Sequence, residues 1–179
     1  MAAALTREQA EGYRRLGYHF PIRAFSAEEA GGLLERLRAT EARLGGPLSG
    51  RMNQKPHLLL PWADAVVRHP AVLDAVESVI GPDILCWGSQ FFMKGAGDPS
   101  FVSWHQDGTY WGLSSPDVVT AWIALTPSVP ESGCMRVVPG SHAKARRSPR
   151  PILLARRRPG WWPREAAHEA PTVAGWLEA

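Results

Sequence analysis

Two residues of this chain, His105 and Asp107, have the types and the spacing to hold a metal ion. They stand in Trp104-His105-Gln106-Asp107-Gly108. In an extended segment side chains alternate, so imidazole and carboxylate project to one side while Trp104 and Gln106 face the other. A neutral imidazole beside an anionic carboxylate supplies two of the three donors of the two-histidine, one-carboxylate arrangement. That arrangement grips Fe(II) by one face and leaves the opposite positions open for a co-substrate and O2. A third ligand is required, and a second histidine is the usual one. In isolation His-x-Asp is a short pattern that a surface turn with a hydrogen-bonded histidine also satisfies, so its surroundings carry the argument.

Those surroundings are Phe101-Val-Ser-Trp-His-Gln-Asp-Gly-Thr-Tyr-Trp111, then Val118-Val-Thr-Ala-Trp-Ile-Ala-Leu125, Pro130-Glu-Ser-Gly133, and Met135-Arg-Val-Val-Pro-Gly-Ser-His142. In this order and spacing they resemble the phytanoyl-CoA dioxygenase family of Fe(II)- and 2-oxoglutarate-dependent oxygenases. The resemblance runs from about Leu5 to His142 and is most specific in its middle. It implies iron held by His105 and Asp107, with 2-oxoglutarate and O2 as co-substrates, a small-molecule substrate, and no further catalytic side chain. It also implies that Lys55, Gln90 and Trp122 contact 2-oxoglutarate. A lysine in the Arg51-Met-Asn-Gln-Lys-Pro-His-Leu58 loop reaches a carboxylate, Gln90 lines the pocket, and Trp122 walls it with an indole N–H free to donate. Read alone, Lys55 is an ordinary solvated lysine, Trp122 is equally a core aromatic, and His57 is as much structural as substrate-facing. Halogenating relatives carry Ala or Gly where Asp107 stands, so the carboxylate favours hydroxylation.

The elements that must position these residues are legible around them. Thr6-Arg-Glu-Gln9 reads as a capping box opening a helix that ends near Gly17, and Ser26-Ala-Glu-Glu29 repeats the device for a longer helix. That second helix carries Leu33, Leu34, Leu37 and Leu44 near one stripe and closes at Gly45-Gly46. Pro70 suits the first turn of a third, with Val72, Leu73, Val76, Val79 and Ile80 at helical spacing before Gly81-Pro82. Tyr18 to Ile22 reads as a short strand, and Asp83 to Met93, Val102 to Asp107, Val118 to Leu125 and Cys134 to Val138 as four more. Helices followed by short strands predict helices packed outside a β-sandwich or barrel. The resemblance makes this an α+β chain, a double-stranded β-helix (a cupin-like jelly roll) with flanking N-terminal helices.

With 179 residues the chain suits one domain. No apolar run of about 18 residues crosses a bilayer and the first residues lack a signal peptide's order, so a cytoplasmic location without membrane attachment is expected. Cys86 and Cys134 have no paired spacing and read as buried reduced thiols. Residues 1–142 hold 12 Lys+Arg against 14 Asp+Glu, a net charge of −2, whereas residues 143–179 hold 8 against 3, a net charge of +5. The family's second histidine and a following arginine, which clamps the distal carboxylate of 2-oxoglutarate, lie past the Pro-Gly-Ser-His turn. Here that region offers only His142 and His168, with no Arg or Lys after His168. The 37 residues after His142 carry seven Arg, five Pro and three Trp, a composition typical of an out-of-frame reading of GC-rich DNA. The expectation is therefore that residues 1–142 are the N-terminal part of the dioxygenase domain and 143–179 a foreign tail. The C-terminal strands are then missing and activity is impaired. A non-catalytic cupin-like binding module is the alternative, and nucleic-acid binding through the basic tail is not expected because no recognition motif accompanies it.

Overall fold

A computed structural model describes residues 5–109, 113–115 and 117–143. Four α-helices are present among them: α1 (Arg7–Leu16), α2 (Ala27–Leu44), α3 (Pro61–Val67) and α4 (Pro70–Ile80). Both capping boxes form. At α1 the Thr6 hydroxyl accepts from the Gln9 amide at 3.2 Å, and the Gln9 side chain accepts from the Thr6 amide at 2.9 Å. At α2 the same exchange links Ser26 and Glu29 at 3.2 and 2.7 Å. Each box satisfies two of the free amides at a helix start. Both helices end on a left-handed glycine, Gly17 (φ 84°) and Gly45 (φ 76°), a conformation that glycine adopts at little steric cost.

The buried face of α2 is Ala30, Leu37 and Thr40, with Leu33 and Leu34 half-buried between them, which is one helical stripe. Leu44, expected on that stripe, is 51% exposed at the helix end. Leu37 joins Leu48, Leu60 and Ala63 of α3 in the core, against which Leu34, Met52, Trp62, Phe91 and Leu125 pack. Phe91 and Leu125 thereby bring two sequence-remote, non-helical segments onto the helical layer. Helices α1 and α4 pack on each other, their buried residues are all alanines (Ala10, Ala71 and Ala75), and the Leu5 amide donates to the Ser78 hydroxyl at 3.1 Å. Helix α3 was not anticipated, since it has seven residues and no side-chain cap. Its signals are Pro61 in the first turn and an Asp64–Arg68 pair at 2.9 Å.

The last carbonyls of α1 lack partners within the helix, and a turn from the far end of the described chain supplies them. Gly17, the helix's own cap, gives its amide to the Tyr13 carbonyl at 2.7 Å; from the remote turn the Gly140 amide takes the Leu16 carbonyl at 2.7 Å and His142 Nε2–H donates to that of Arg14 at 2.9 Å. The Pro-Gly-Ser-His turn is thus docked on the C-terminal end of α1. A Cβ on Gly17 would meet the His142 ring, its Cγ lying only 2.8 Å away.

The expected strands are not formed among the described residues. Tyr18 to Ile22, Asp83 to Met93, Val102 to Asp107 and Val118 to Leu125 carry no ladder, and in Cys134 to Val138 only Arg136 makes an isolated bridge. A ladder needs a neighbouring backbone, and jelly-roll neighbours come from segments remote in sequence. Here side chains and turns take part of that role. The Asn53 amide donates to the Phe91 carbonyl at 2.9 Å and accepts from the Phe91 amide at 2.8 Å, and the Ser89 carbonyl accepts from the Lys55 amide at 3.0 Å. Without sheet partners the apolar side chains stand open, Leu85 at 85% and Phe101 at 84% exposure. The thiols also differ from expectation: Cys86 is exposed and Cys134 half-buried. No helix among the described residues is long and apolar enough to cross a membrane.

Candidate metal centre and co-substrate residues

His105 and Asp107 meet, although by a different route from a straight strand. The backbone enters a 3-10 turn at Asp107–Thr109, which swings the carboxylate against the ring. His105 Nε2 lies 3.0 Å from Asp107 Oδ1, and both side chains reach solvent, at 33% and 42% exposure. The other atom of each group is tied to the protein. His105 Nδ1 faces the Ser103 carbonyl at 2.7 Å, and Asp107 Oδ2 accepts from the Thr120 hydroxyl at 2.8 Å. The Ser103 carbonyl can only accept, so Nδ1 donates to it. Nε2 and Oδ1 stand at hydrogen-bond distance from each other. Metal–ligand bonds of about 2.1 Å at a right angle require donors about 3.0 Å apart, so the observed bite matches one cis edge of an octahedron. The donor set of one imidazole and one carboxylate suits Fe(II).

Gln106 turns the opposite way, as alternation requires, and its Nε2 donates to the Ser141 carbonyl at 2.9 Å. The segment that carries His105 and Asp107 is thereby fastened to the same turn that caps α1. No group of three or more His, Cys, Asp or Glu residues converges among the described residues. His142 is committed to the Arg14 carbonyl, and His168 lies outside the described residues.

The three residues expected to contact 2-oxoglutarate are placed by two links. Lys55 begins the turn Pro56–Leu58 in a left-handed conformation (φ 55°), the one non-glycine positive φ among the described residues. Its amide bond to Ser89, the Asn53–Phe91 exchange, and a 2.6 Å contact between His57 Nδ1 and the Ser89 hydroxyl lay this loop along residues 89–91, beside Gln90. The Lys55 ammonium, however, sits 5.0 Å above the Trp87 ring, and in a regular strand Trp87 and Gln90 face opposite sides. Gln90 is exposed, so the partner that burial would have demanded is not required. Trp122 packs on Phe92 with ring centroids 6.0 Å apart, two residues beyond the Thr120 that bonds Asp107. Thr120 therefore ties the segment that carries Trp122 to Asp107, and the Lys55 backbone lies against Ser89, but the Lys55 ammonium and the Gln90 side chain are not brought together. Sequence reasoning missed Asn53, Ser89, Ser103 and Thr120. Only Thr120 carried a signal, lying on the same side as Trp122 by alternation.

The model of the phytanoyl-CoA dioxygenase (PhyH) family matches residues 13–175. The chain belongs to the phytanoyl-CoA dioxygenase family. The family match covers the metal pair, the three co-substrate candidates and most of residues 143–179. Among relatives, a probable alpha-ketoglutarate-dependent hypophosphite dioxygenase of Stutzerimonas stutzeri is 29% identical over 153 residues, covering 75% of this chain and 53% of that protein. An ectoine dioxygenase of Bordetella parapertussis is 28% identical over 156 residues, 79% of this chain and 51% of that protein. An L-proline trans-4-hydroxylase of Streptomyces griseoviridis is 31% identical over 108 residues, 58% and 37% respectively. The chain spans about half the length of the first two relatives. No solved structure gives a significant match.

Proposed function

We propose that this chain belongs to an Fe(II)- and 2-oxoglutarate-dependent dioxygenase that hydroxylates a small organic substrate, with His105 and Asp107 as iron ligands. The observation that carries the reading is the 3.0 Å separation of Nε2 and Oδ1, a bite that fits an octahedral ion. Relatives named for alpha-ketoglutarate, which is 2-oxoglutarate, and for hydroxylation support it. Iron with 2-oxoglutarate and O2 supplies the oxidant that removes hydrogen from a C–H bond. This chain's residues hold and orient: Lys55 offers a cation to a co-substrate carboxylate, Gln90 an amide, and Trp122 an apolar wall with one N–H. The non-helical segments 83–93, 102–107, 118–125 and 134–138 are, in the same reading, strands of a jelly roll, and the protein works in the cytoplasm.

The test is anaerobic titration with Fe(II) of the wild-type chain, His105→Ala and Asp107→Ala. Each substitution removes a donor and should weaken binding at least tenfold. Unchanged affinity in both would put the metal elsewhere. One observation favours the alternative of a non-catalytic cupin-like binding module, namely that two donors and not three converge among the described residues. Succinate formation from 2-oxoglutarate separates the two readings, and a binding module forms none. We also propose that residues 143–179, although most of them fall within the family match, are not native family sequence, and that loss of the second histidine and of the arginine that follows it impairs turnover. Sequencing the gene across the codons for Ser141 to Arg150 tests this, and an intact frame shared by close relatives removes it.

A further inference from the structure

We infer that Thr120 is a positioning residue for the metal centre, holding Asp107 as a one-oxygen ligand aimed at the same point as His105. The inference rests on the iron-binding reading above and adds to it a residue outside the ligand motif. A carboxylate beside an imidazole can offer a metal either oxygen, or both, and can swing about its last side-chain bond. Asp107 is restrained in both respects. Its Oδ2 is engaged by the Thr120 hydroxyl at 2.8 Å, and its Oδ1 is left 3.0 Å from His105 Nε2. His105 is restrained in the matching way, Nδ1 against the Ser103 carbonyl at 2.7 Å. Ser103 and Thr120 thus each hold one atom of the pair, and the other two, Nε2 and Oδ1, face each other at the separation of a cis edge.

The two anchors differ in kind. Ser103 acts through its backbone, so almost any residue there serves. Thr120 acts through its side chain and lies 13 residues from Asp107 on another segment, so the hydroxyl is specified by sequence. A charge-assisted O–H···O⁻ bond is among the stronger hydrogen bonds, and partners of ligating carboxylates typically contribute tenfold to a hundredfold in metal affinity. Thr120 is exposed, so replacing its hydroxyl by a methyl group in Thr120→Val perturbs packing little and removes the donor cleanly.

The experiment titrates the full 179-residue chain with Mn(II), followed by the electron paramagnetic resonance of the free aquo ion, and with Co(II), followed by its visible spectrum. Wild type, Thr120→Val, Thr120→Ser and Asp107→Ala are compared. The expected result is at least tenfold weaker binding in Thr120→Val, wild-type affinity in Thr120→Ser, and a Co(II) spectrum altered in the valine variant and restored by serine. Wild-type affinity in Thr120→Val with loss in Asp107→Ala would overturn the role of Thr120 and leave the metal site standing. Equal loss in the serine and valine variants would make the shape of the side chain, not its hydroxyl, the operative feature. Wild-type affinity in Asp107→Ala, or no binding by the wild-type chain, would overturn the metal reading and this one with it.

Discussion

Asn53 does for Phe91 what a neighbouring strand would do, taking its carbonyl and giving back to its amide at 2.9 and 2.8 Å. Both bonds pass through one side chain, so Asn53→Ala removes them together. At about 1 kcal/mol for each net hydrogen bond, the variant should be roughly 2 kcal/mol less stable in urea unfolding. Because the loop it fastens carries Lys55, it should also bind 2-oxoglutarate more weakly. Unchanged stability would show that the exchange is dispensable. Asn53 was illegible in the sequence, because an asparagine in a loop has many uses and its partner lies 38 residues away. His105 and Asp107 were singled out because ligand chemistry restricts residue type, and the structure brings the two side chains together. Even so, the turn at Asp107, and not an alternating strand, brings their donor atoms to 3.0 Å.

At the level of elements, capping was read correctly because it is local: a cap and its partner are three residues apart and leave their mark in the sequence. Glu29 shows what the box adds. The Ser26 amide, and after it the Ser26 hydroxyl, hold its carboxyl below the usual carboxylate range. Folding therefore favours the ionised form. That contribution is complete above the ordinary glutamate value of about 4.3 and is lost as pH falls through the lower folded value. Ser26→Ala, which keeps that amide, should cost about 1 kcal/mol at neutral pH, whereas Glu29→Gln should flatten the loss of stability on acidification to about pH 3. Urea unfolding at both pH values checks this, and an unaltered acid dependence in Glu29→Gln would show that Glu29 contributes none of it. The strands, by contrast, were expected from composition, and no periodicity in a single segment states which remote backbone is to lie beside it. Among the described residues the isolated bridge at Arg136 is what forms of that pairing.

For the whole molecule, the helical layer has a core of its own around Leu37, Leu48, Leu60 and Ala63, whereas the non-helical half exposes Leu85, Phe92, Phe101 and Val102 at 58% or more. Contiguous apolar patches are rare on soluble monomers, and side chains this large and this open invite association. The chain should bind a hydrophobic dye such as ANS strongly and aggregate on warming, while far-UV circular dichroism reports stable helix. A sharp cooperative transition from a dye-negative, soluble monomer would show that residues outside the described set cover this face. The division of charge between residues 1–142 and 143–179 was plain from the sequence, but composition alone cannot show what a segment packs against.

The turn docked on the end of α1 makes Gly17 a remote hostage of the proposed metal centre. Any side chain there strains a backbone at φ 84° and pushes on His142, whose neighbour Ser141 holds Gln106 between His105 and Asp107. In a genetic screen scored by metal retention, Gly17 should therefore emerge as an intolerant position, grouped with His105 and Asp107 rather than with other helix-capping glycines such as Gly45, beside which a Cβ meets nothing within 4 Å. A geneticist mapping lesions along the gene would find an apparent ligand phenotype some ninety codons upstream of the ligands, and the docked turn is the reason.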